Sequence, residues 1–500
     1  MFAAATSALW ACTLAGVLLV VLRRFTSRKA SPQRYALPPG PKPWPILGNL
    51  FDMPTKNLGP SFNALTEKYG EYTYLNVLGQ HVIVLGSYEA ANALLEGRSA
   101  ISSGRSPCVM AELTGYMPWE FGLWGYTDEW RRHRKAFHQL FHQNVIPDYR
   151  PSQIEQTRRF LRKLLDDPDR FVGHIRHLFG ATILRIVYGL DVADHNDKYI
   201  GIAEKGADVY IKITVPGRYL VETFPILRHL PSWFPGAGFK REAASWKPAV
   251  QALRDAPFDN AKREVAEGIA RPSIVASLLE KVTDEKDEQG KIGQEDLYRN
   301  ITGIAYLTGA DTTFSSVQAF FLAMAMHPDE QHKAQAELDS EVFRWHNVVP
   351  LGIPHETTAD EEFNGWFIPK GTVLIPNQWA MARDHKAYPN PEEFKPERFL
   401  KDGALDPSVR DPLKYAFGFG RRICPGRHFA DASMFIIVSS VLHAFDIAPP
   451  LGEDGKPVML EAKMTADLLL SYPEPFKCRI TPRSPKAEAL VLSHDGAHDA

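Results

Sequence analysis

Apolar residues return at helical spacing through most of this chain. Over Ile154 to Leu165, Gly173 to Val187, Leu297 to Met326 and Phe429 to Leu442 they recur every three to four positions, so each segment is predicted to be a helix with a buried face. The strand signal is smaller. Tyr72 to Leu78 and Val82 to Leu85 are rich in β-branched and aromatic residues, with Gly79-Gln80-His81 expected as the turn between them. Asp284 to Lys291 is charged and carries a glycine near its end, which predicts a solvated loop. Ser484 to Ala500 has no period and is expected to be a disordered tail. The sum is a mainly α protein with small β-sheets.

The N-terminus has a different pattern. Phe2 to Leu22 is apolar except for Thr6, Ser7 and Thr13, and Arg23, Arg24, Arg28 and Lys29 follow at once. That run is long enough to cross a bilayer as a helix. A cleaved signal would carry its basic residues before the apolar run, so the order here predicts a retained single-pass anchor, residues 1–22, with the basic cluster and the body in the cytosol. In Leu37-Pro38-Pro39-Gly40-Pro41-Lys42-Pro43-Trp44-Pro45 the prolines restrict φ, and residues 23–45 read as a basic stop followed by a stiff hinge.

Composition narrows the class. With 500 residues, 44% of them hydrophobic, and a formal charge of −2, the chain can bury a large core and offers no electrostatic case for nucleic acid. Length alone would suggest several domains, but neither a composition break nor a repeat supports a cut within residues 46–483. Cys12, Cys108, Cys424 and Cys478 are too few and too scattered for a disulfide framework or a zinc site.

Cys424 stands apart because of what surrounds it. In Phe417-Gly418-Phe419-Gly420-Arg421-Arg422-Ile423-Cys424-Pro425-Gly426, the glycines are expected to let backbone approach a large planar cofactor. Pro425 suits the first turn of a helix whose amides would point at the sulfur and favour the thiolate. Phe417, Gly420, Arg422, Cys424 and Gly426 fill the pattern FxxGxRxCxG, and here the sequence resembles the cytochrome P-450 family of haem-thiolate monooxygenases. The resemblance implies the cytochrome P-450 fold, heme b as cofactor, Phe417 in the cofactor loop and Cys424 as the axial iron ligand. The other cysteines lack this setting and read as packing residues or, for Cys12, as part of the anchor.

Further motifs fall in the family's order. Leu307-Thr308-Gly309-Ala310-Asp311-Thr312-Thr313 is similar to its oxygen-activation motif, with Thr308 where alanine or glycine is usual. The resemblance gives Thr312 and Asp311 catalytic roles in proton delivery, although a mid-helix threonine also commonly bonds back to a carbonyl one turn earlier. Gly309 is expected to weaken the helix and leave room for dioxygen and water. Trp130 and Arg134 fit WxxxR, and with Arg422, Arg105 and His355 they occupy positions resembling the family's contacts to the haem propionates. Glu341, Arg344 and Arg398 resemble its structural salt-bridge network. One departure stands out. Between Pro328 to Leu338 and Glu341-Val342-Phe343-Arg344-Trp345 a family segment is missing around 339–341, and without a glycine or proline between Asp329 and Arg344 a single continuous helix would misplace the network.

No dinucleotide fingerprint or phosphate loop is present, so electrons must come from outside, and the resemblance implies a membrane-bound NADPH–cytochrome P-450 reductase. Arg131, Arg132 and Lys135 could form its basic docking face or simply a solvated helix face. Apolar walls suit a small lipophilic terpenoid, polyketide or aromatic substrate. Trp233-Phe234-Pro235-Gly236 and Val349-Pro350-Leu351-Gly352-Ile353-Pro354-His355 resemble fungal secondary-metabolism members, including the O-methylsterigmatocystin oxidoreductase type and indole-hydroxylating relatives. The expectation is therefore a monooxygenase anchored by membrane lipid at the endoplasmic reticulum. Two alternatives stand beside it: a haem-thiolate isomerase or dehydratase, and an inactive haem-binding product of the missing segment.

Overall fold

A helix that is apolar on every side must be buried on every side, and the longest apolar stretch of this chain becomes its central axis. The computed structural model describes residues 36–215, 217–283, 287–331, 338–465 and 469–493. Its helices of eight or more residues are α1 (Leu58–Tyr69), α2 (Asp128–Phe141), α3 (Ile146–Asp166), α4 (Phe171–Ile183), α5 (Lys198–Ile213), α6 (Gly238–Ala266), α7 (Ile274–Thr283), α8 (Glu288–Met326), α9 (Leu338–Trp345), α10 (Arg427–Ala444) and α11 (Pro485–Leu492). Helix α8 is the axis. It is buried over most of Leu297 to Leu307 and from Thr313 to Ala325. Phe171 of α4 stacks on Phe321 of α8 with ring centroids 5.3 Å apart. Helix α10 is tied to α3 by a buried Gln153–Ser433 hydrogen bond of 2.8 Å.

The β part consists of β1 (Tyr72–Val77), β2 (Gln80–Leu85), β3 (His355–Glu356), β4 (Glu361–Phe363), β5 (Trp366–Ile368), β6 (Val373–Pro376), β7 (Leu400–Lys401), β8 (Ala404–Leu405), β9 (Phe445–Ala448) and β10 (Arg479–Pro482). Four of these strands form one sheet in the order β1-β2-β6-β3, and the others pair as β4-β5, β7-β8 and β9-β10. Strand β2 runs parallel to β6, and β3 runs antiparallel to it with His355 opposite Leu374. Gly104 bridges to Glu356 through N–H to carbonyl bonds of 2.9 and 3.1 Å, which brings the segment before α2 to the sheet edge.

Several sequence expectations are corrected. Gln80 and His81 belong to β2, opposite Val77 and Asn76, and the turn is Leu78-Gly79, both at positive φ (51° and 88°). Two such residues match the twist of a tight hairpin. The charged stretch before α8 is not a loop as far as Lys291, because Asp287 caps the helix by accepting from the Gly290 amide at 2.8 Å and α8 begins at Glu288. The expected disordered tail instead starts as α11, with Ser484 accepting from the Ala487 amide at 3.1 Å, Pro485 in the first turn, and Ala487 and Val491 buried. Residues 494–500 lie outside the described residues.

The anchor expected over residues 1–22, its basic stop and Cys12 also lie outside the described residues. Among the described residues no helix is long and apolar enough to cross a membrane. From Ala36 the proline-rich stretch lies against β5 and then β1, with Phe367 N–H on the Ala36 carbonyl at 2.9 Å and Tyr74 N–H on the Pro39 carbonyl at 2.8 Å. Where a family segment was expected to be missing, the chain runs from α8 through a short helix, Pro328–Gln331, to α9. The link between Gln331 and Leu338 lies outside the described residues. A groove of about 690 Å³ opens beside this junction between Met326, His327, Trp345 and Phe394.

Candidate active site

Helix α9 supports the site from below. Glu341 and Arg344 are one turn apart and both fully buried, with Arg344 Nε and Nη2 donating to the two Glu341 oxygens at 2.7 Å each. The rest of the guanidinium reaches the carbonyls of Ala382, Pro391 and Glu393 at 3.1, 2.7 and 3.0 Å. Arg398 Nε joins Glu341 at 3.1 Å, and the Lys395 amide donates to it at 2.8 Å. The expected misplacement of this network does not occur, because α9 supplies the turn its geometry needs. A buried pair is stable only when its remaining donors are also satisfied, and here they are. Phe343, on the same helix, packs edge-on against Phe417 at 5.5 Å. The network thereby reaches the cysteine loop.

In that loop the Cys424 amide donates to the Phe417 carbonyl at 2.8 Å. Gly418 and Gly420 have φ of 79° and 56°, and a Cβ on Gly420 would sit 2.2 Å from the Leu95 carbonyl oxygen. Gly420 is therefore required by backbone conformation and by close approach to Leu95, while Gly418 and Gly426 of the same loop line the cavity. Pro425 precedes the N-cap Gly426 of α10 and is not in its first turn. The Gly426 and Arg427 amides do point back at the sulfur, and they and the Arg134 and Arg427 guanidiniums lower the Cys424 pKa, but burial is the largest influence and the net shift is upward. The amides act in the direction expected of them and favour the thiolate, but burial outweighs them; a coordinated metal ion would tip the balance, since it deprotonates a ligating thiol outright.

A cavity of about 300 Å³ lies between this loop and α8, and Cys424, Phe417, Trp130, Arg134, Arg422, Arg105, His355 and Thr312 all line it. Residues spread over more than 300 positions thus converge on one space. Arg422 donates to the Ser103 carbonyl at 2.8 Å and the Trp124 carbonyl at 2.6 Å, and it lies 4.1 Å over the Trp130 ring. Its Nη1 is buried without a hydrogen-bond partner. Arg105 reaches the carbonyls of Ile353 and Pro354 at 2.9 and 2.7 Å, and Arg134 reaches that of Ile423. His355 Nδ1 donates to the Ser102 carbonyl at 2.7 Å, and burial and Arg105 push its pKa well below the usual value.

Burial lowers Arg105 and Arg134 to about 10 and Arg422 to about 9. Against these three cations stands one carboxylate that the sequence reading missed, Glu120, which accepts from the Gly122 and Leu123 amides at 3.1 and 3.0 Å. Burial raises it to about 7. A single charge within the aromatic run Trp119-Glu120-Phe121 was its only signal in sequence. The cavity therefore carries excess positive charge and an orphaned guanidinium nitrogen, a setting suited to an anionic group. Those features, together with Cys424, fit a haem with its two propionates.

On the distal wall, the Thr312 hydroxyl donates to the Thr308 carbonyl at 2.9 Å, the back-bonded arrangement, which leaves its oxygen able to accept, and Thr312 lines the cavity. Gly309 does not interrupt α8. Gly309 lines the cavity, in keeping with the room expected there, and a Cβ on it would also lie 2.7 Å from Ile183 Cδ1 of α4. Asp311 is not among the lining residues. Tyr472, also missed in the sequence, donates to Asp311 Oδ2 at 3.1 Å, and burial raises the carboxyl's pKa. The expected basic docking face is partly neutralised within α2, where Arg131 pairs with Asp128 and Arg132 with Glu129. Cys108 and Cys478 are pushed up to about 12 by burial.

The chain matches the family model described as Cytochrome P450 over residues 38–342 and 340–478, two pieces that meet at α9. It is 39% identical to Cytochrome P450 monooxygenase COX1 of Coprinopsis cinerea, over 95% of this chain and 97% of that protein. It is 38% identical to Tryptamine 4-monooxygenase of Psilocybe cyanescens, over 90% and 94%, and 36% identical to Cytochrome P450 monooxygenase 208 of Postia placenta, over 96% and 97%. The first of these alignments is 503 positions long although it takes in only 95% of a 500-residue chain, so that relative carries residues this chain lacks.

Proposed function

The chain belongs to the cytochrome P450 family of monooxygenases, whose cofactor is haem with a cysteine thiolate as axial ligand, and from that premise we propose that it is a membrane-anchored enzyme oxidising a lipophilic terpenoid, polyketide or aromatic molecule in fungal secondary metabolism. The observation that carries this reading is the convergence of Cys424, three buried arginines and Thr312 on one cavity. When bound, haem supplies dioxygen activation, and the net reaction is RH + O2 + NADPH + H⁺ → ROH + H2O + NADP⁺. Electrons come through a separate reductase. Cys424 would be the iron ligand, and Phe417, whose carbonyl accepts from the Cys424 amide, would hold the loop that presents it. Arg105, Trp130, Arg134, Arg422 and His355 would hold the propionates, the arginines neutralising charge that would otherwise be buried unpaired. Thr312 holds a proton donor or water at the distal wall, and Asp311 supplies protons from behind it. Phe121, Ile183 and Ile304 exclude water from the substrate side.

The apolar run before Arg23 supports an anchor in the endoplasmic reticulum membrane, with the catalytic body cytosolic. Exposed Trp44, Ile46, Phe51, Leu220, Ile226 and Trp233 add apolar surface suited to lipid. An aromatic substrate is in keeping with the tryptamine-oxidising relative. The test is the ferrous–CO difference spectrum of the full chain, followed by NADPH-dependent turnover of a terpenoid and aromatic panel with reductase. A red-shifted thiolate-type Soret band and NADPH-dependent hydroxylation are expected. A well-folded haem protein without that band overturns the reading, and turnover without reductase favours isomerase chemistry.

A further inference from the structure

Asp311 lies one residue from Thr312 but faces another way. Thr312 lines the cavity; Asp311 sits behind the wall, where burial raises its pKa and Arg176 of α4 acts against that rise. Glu204 of α5 faces the same spot and pairs with Arg176 at 3.5 Å. The Arg176 guanidinium lies 4.6 Å over the Phe314 ring, one turn from Asp311 on α8, and the Tyr472 ring centroid is 6.0 Å from that of Phe314. Tyr472 is itself fixed at its backbone, where its amide donates to Thr465 Oγ1 at 2.9 Å and the Thr465 amide donates to its carbonyl at 2.7 Å.

We propose that Tyr472 is a positioning residue for the proposed reaction, its hydroxyl holding the Asp311 carboxyl outside the cavity until a proton is needed. The inference rests on the monooxygenase reading for its purpose and on the 3.1 Å bond for its geometry. A carboxyl tied by one side-chain hydrogen bond can be released by a rotamer change, in contrast with one fixed by several. Turned toward Thr312, Asp311 would bring a proton to the cavity, and turned back it would regain one from the side of Arg176 and Glu204. Unregulated access would let protons and water reach the site at the wrong stage. The reducing equivalents then leave as hydrogen peroxide.

The test uses the full-length holoenzyme as wild type, Tyr472→Phe, Asp311→Asn and the double variant, each first shown to keep its ferrous–CO band and melting temperature. One readout is the carboxyl stretch in pH-difference infrared spectra, assigned to Asp311 by its loss in Asp311→Asn. Tyr472→Phe is expected to shift that band. The other is the fraction of NADPH electrons recovered as hydrogen peroxide with reductase and no added substrate. Tyr472→Phe is expected to raise it at least threefold, and to add nothing once Asp311 is Asn. An unmoved band, or an equal effect of Tyr472→Phe in both backgrounds, overturns the proposal. Failure of the wild type to oxidise NADPH would instead count against the monooxygenase reading, and the infrared band would still decide the role of Tyr472.

Discussion

The two sides of the cavity are built on opposite principles. Beneath it, Glu341 and Arg344 have no exposed surface, and between them they engage Arg398, the Lys395 amide and three carbonyls. Above it, Thr312 makes one bond to its own helix and Asp311 one to Tyr472. The difference teaches where rigidity is needed. A metal ligand must keep its place within a fraction of an ångström, so the loop carrying Cys424 rests on an over-determined network. A group that delivers protons, as proposed for Asp311, would have to move, and it is held by a single side-chain hydrogen bond.

Removing the ligand should have the largest effect. Cys424→Ser is expected to abolish the thiolate-type ferrous–CO band completely, with soluble protein still recovered. Breaking the rigid side comes next. Arg344→Leu leaves the Glu341 carboxylate buried without its main partner, which should destabilise the fold by about 3–5 kcal/mol and remove most holoenzyme, as read by denaturant unfolding and haem content. Arg344→Lys should fail almost as badly, since an ammonium lacks the fork that serves Glu341 and three carbonyls together. Loosening the mobile side should be milder for folding. Thr312→Ala is expected to leave stability nearly unchanged while lowering product formed per NADPH by about tenfold or more.

The smallest effect sharpens the contrast by testing an exception within the rigid side. Asp339 also lies on α9, but its Oδ1 is buried with no hydrogen-bond partner. Burial, and behind it the charge of Asp431, raises its pKa to about 8. The folded state then holds a proton that the unfolded state releases near pH 4, so this residue's contribution is fully present below about pH 4 and is lost as pH rises toward 8. Asp339→Asn should therefore raise stability more at pH 8 than at pH 5, measured by urea unfolding at both.

Much of this arrangement was legible in sequence where function depends on local spacing. WxxxR, ExxR and the cysteine loop are short, and each puts its residues on one helical turn or one tight loop whatever the rest of the chain does. The missing-segment concern was harder to judge, because the placement of Glu341 and Arg344 depends on carbonyls at Ala382, Pro391 and Glu393 that no local pattern announces. Glu120 and Tyr472 escaped notice for the same reason. One lies in an aromatic run and the other about 160 residues from its partner Asp311.

By itself, then, the sequence determined the family, the proportion of helix and which residues were candidates for the cofactor, since these follow from motif spacing, the resemblance it carries and hydrophobic period. Only the tertiary structure decided that burial opposes the Cys424 thiolate, that Gly309 serves packing against Ile183, and that Asp311 faces Tyr472 and not the cavity. Desolvation, steric fit and the direction of a side chain are properties of the space around a residue. That space is assembled from distant parts of the chain.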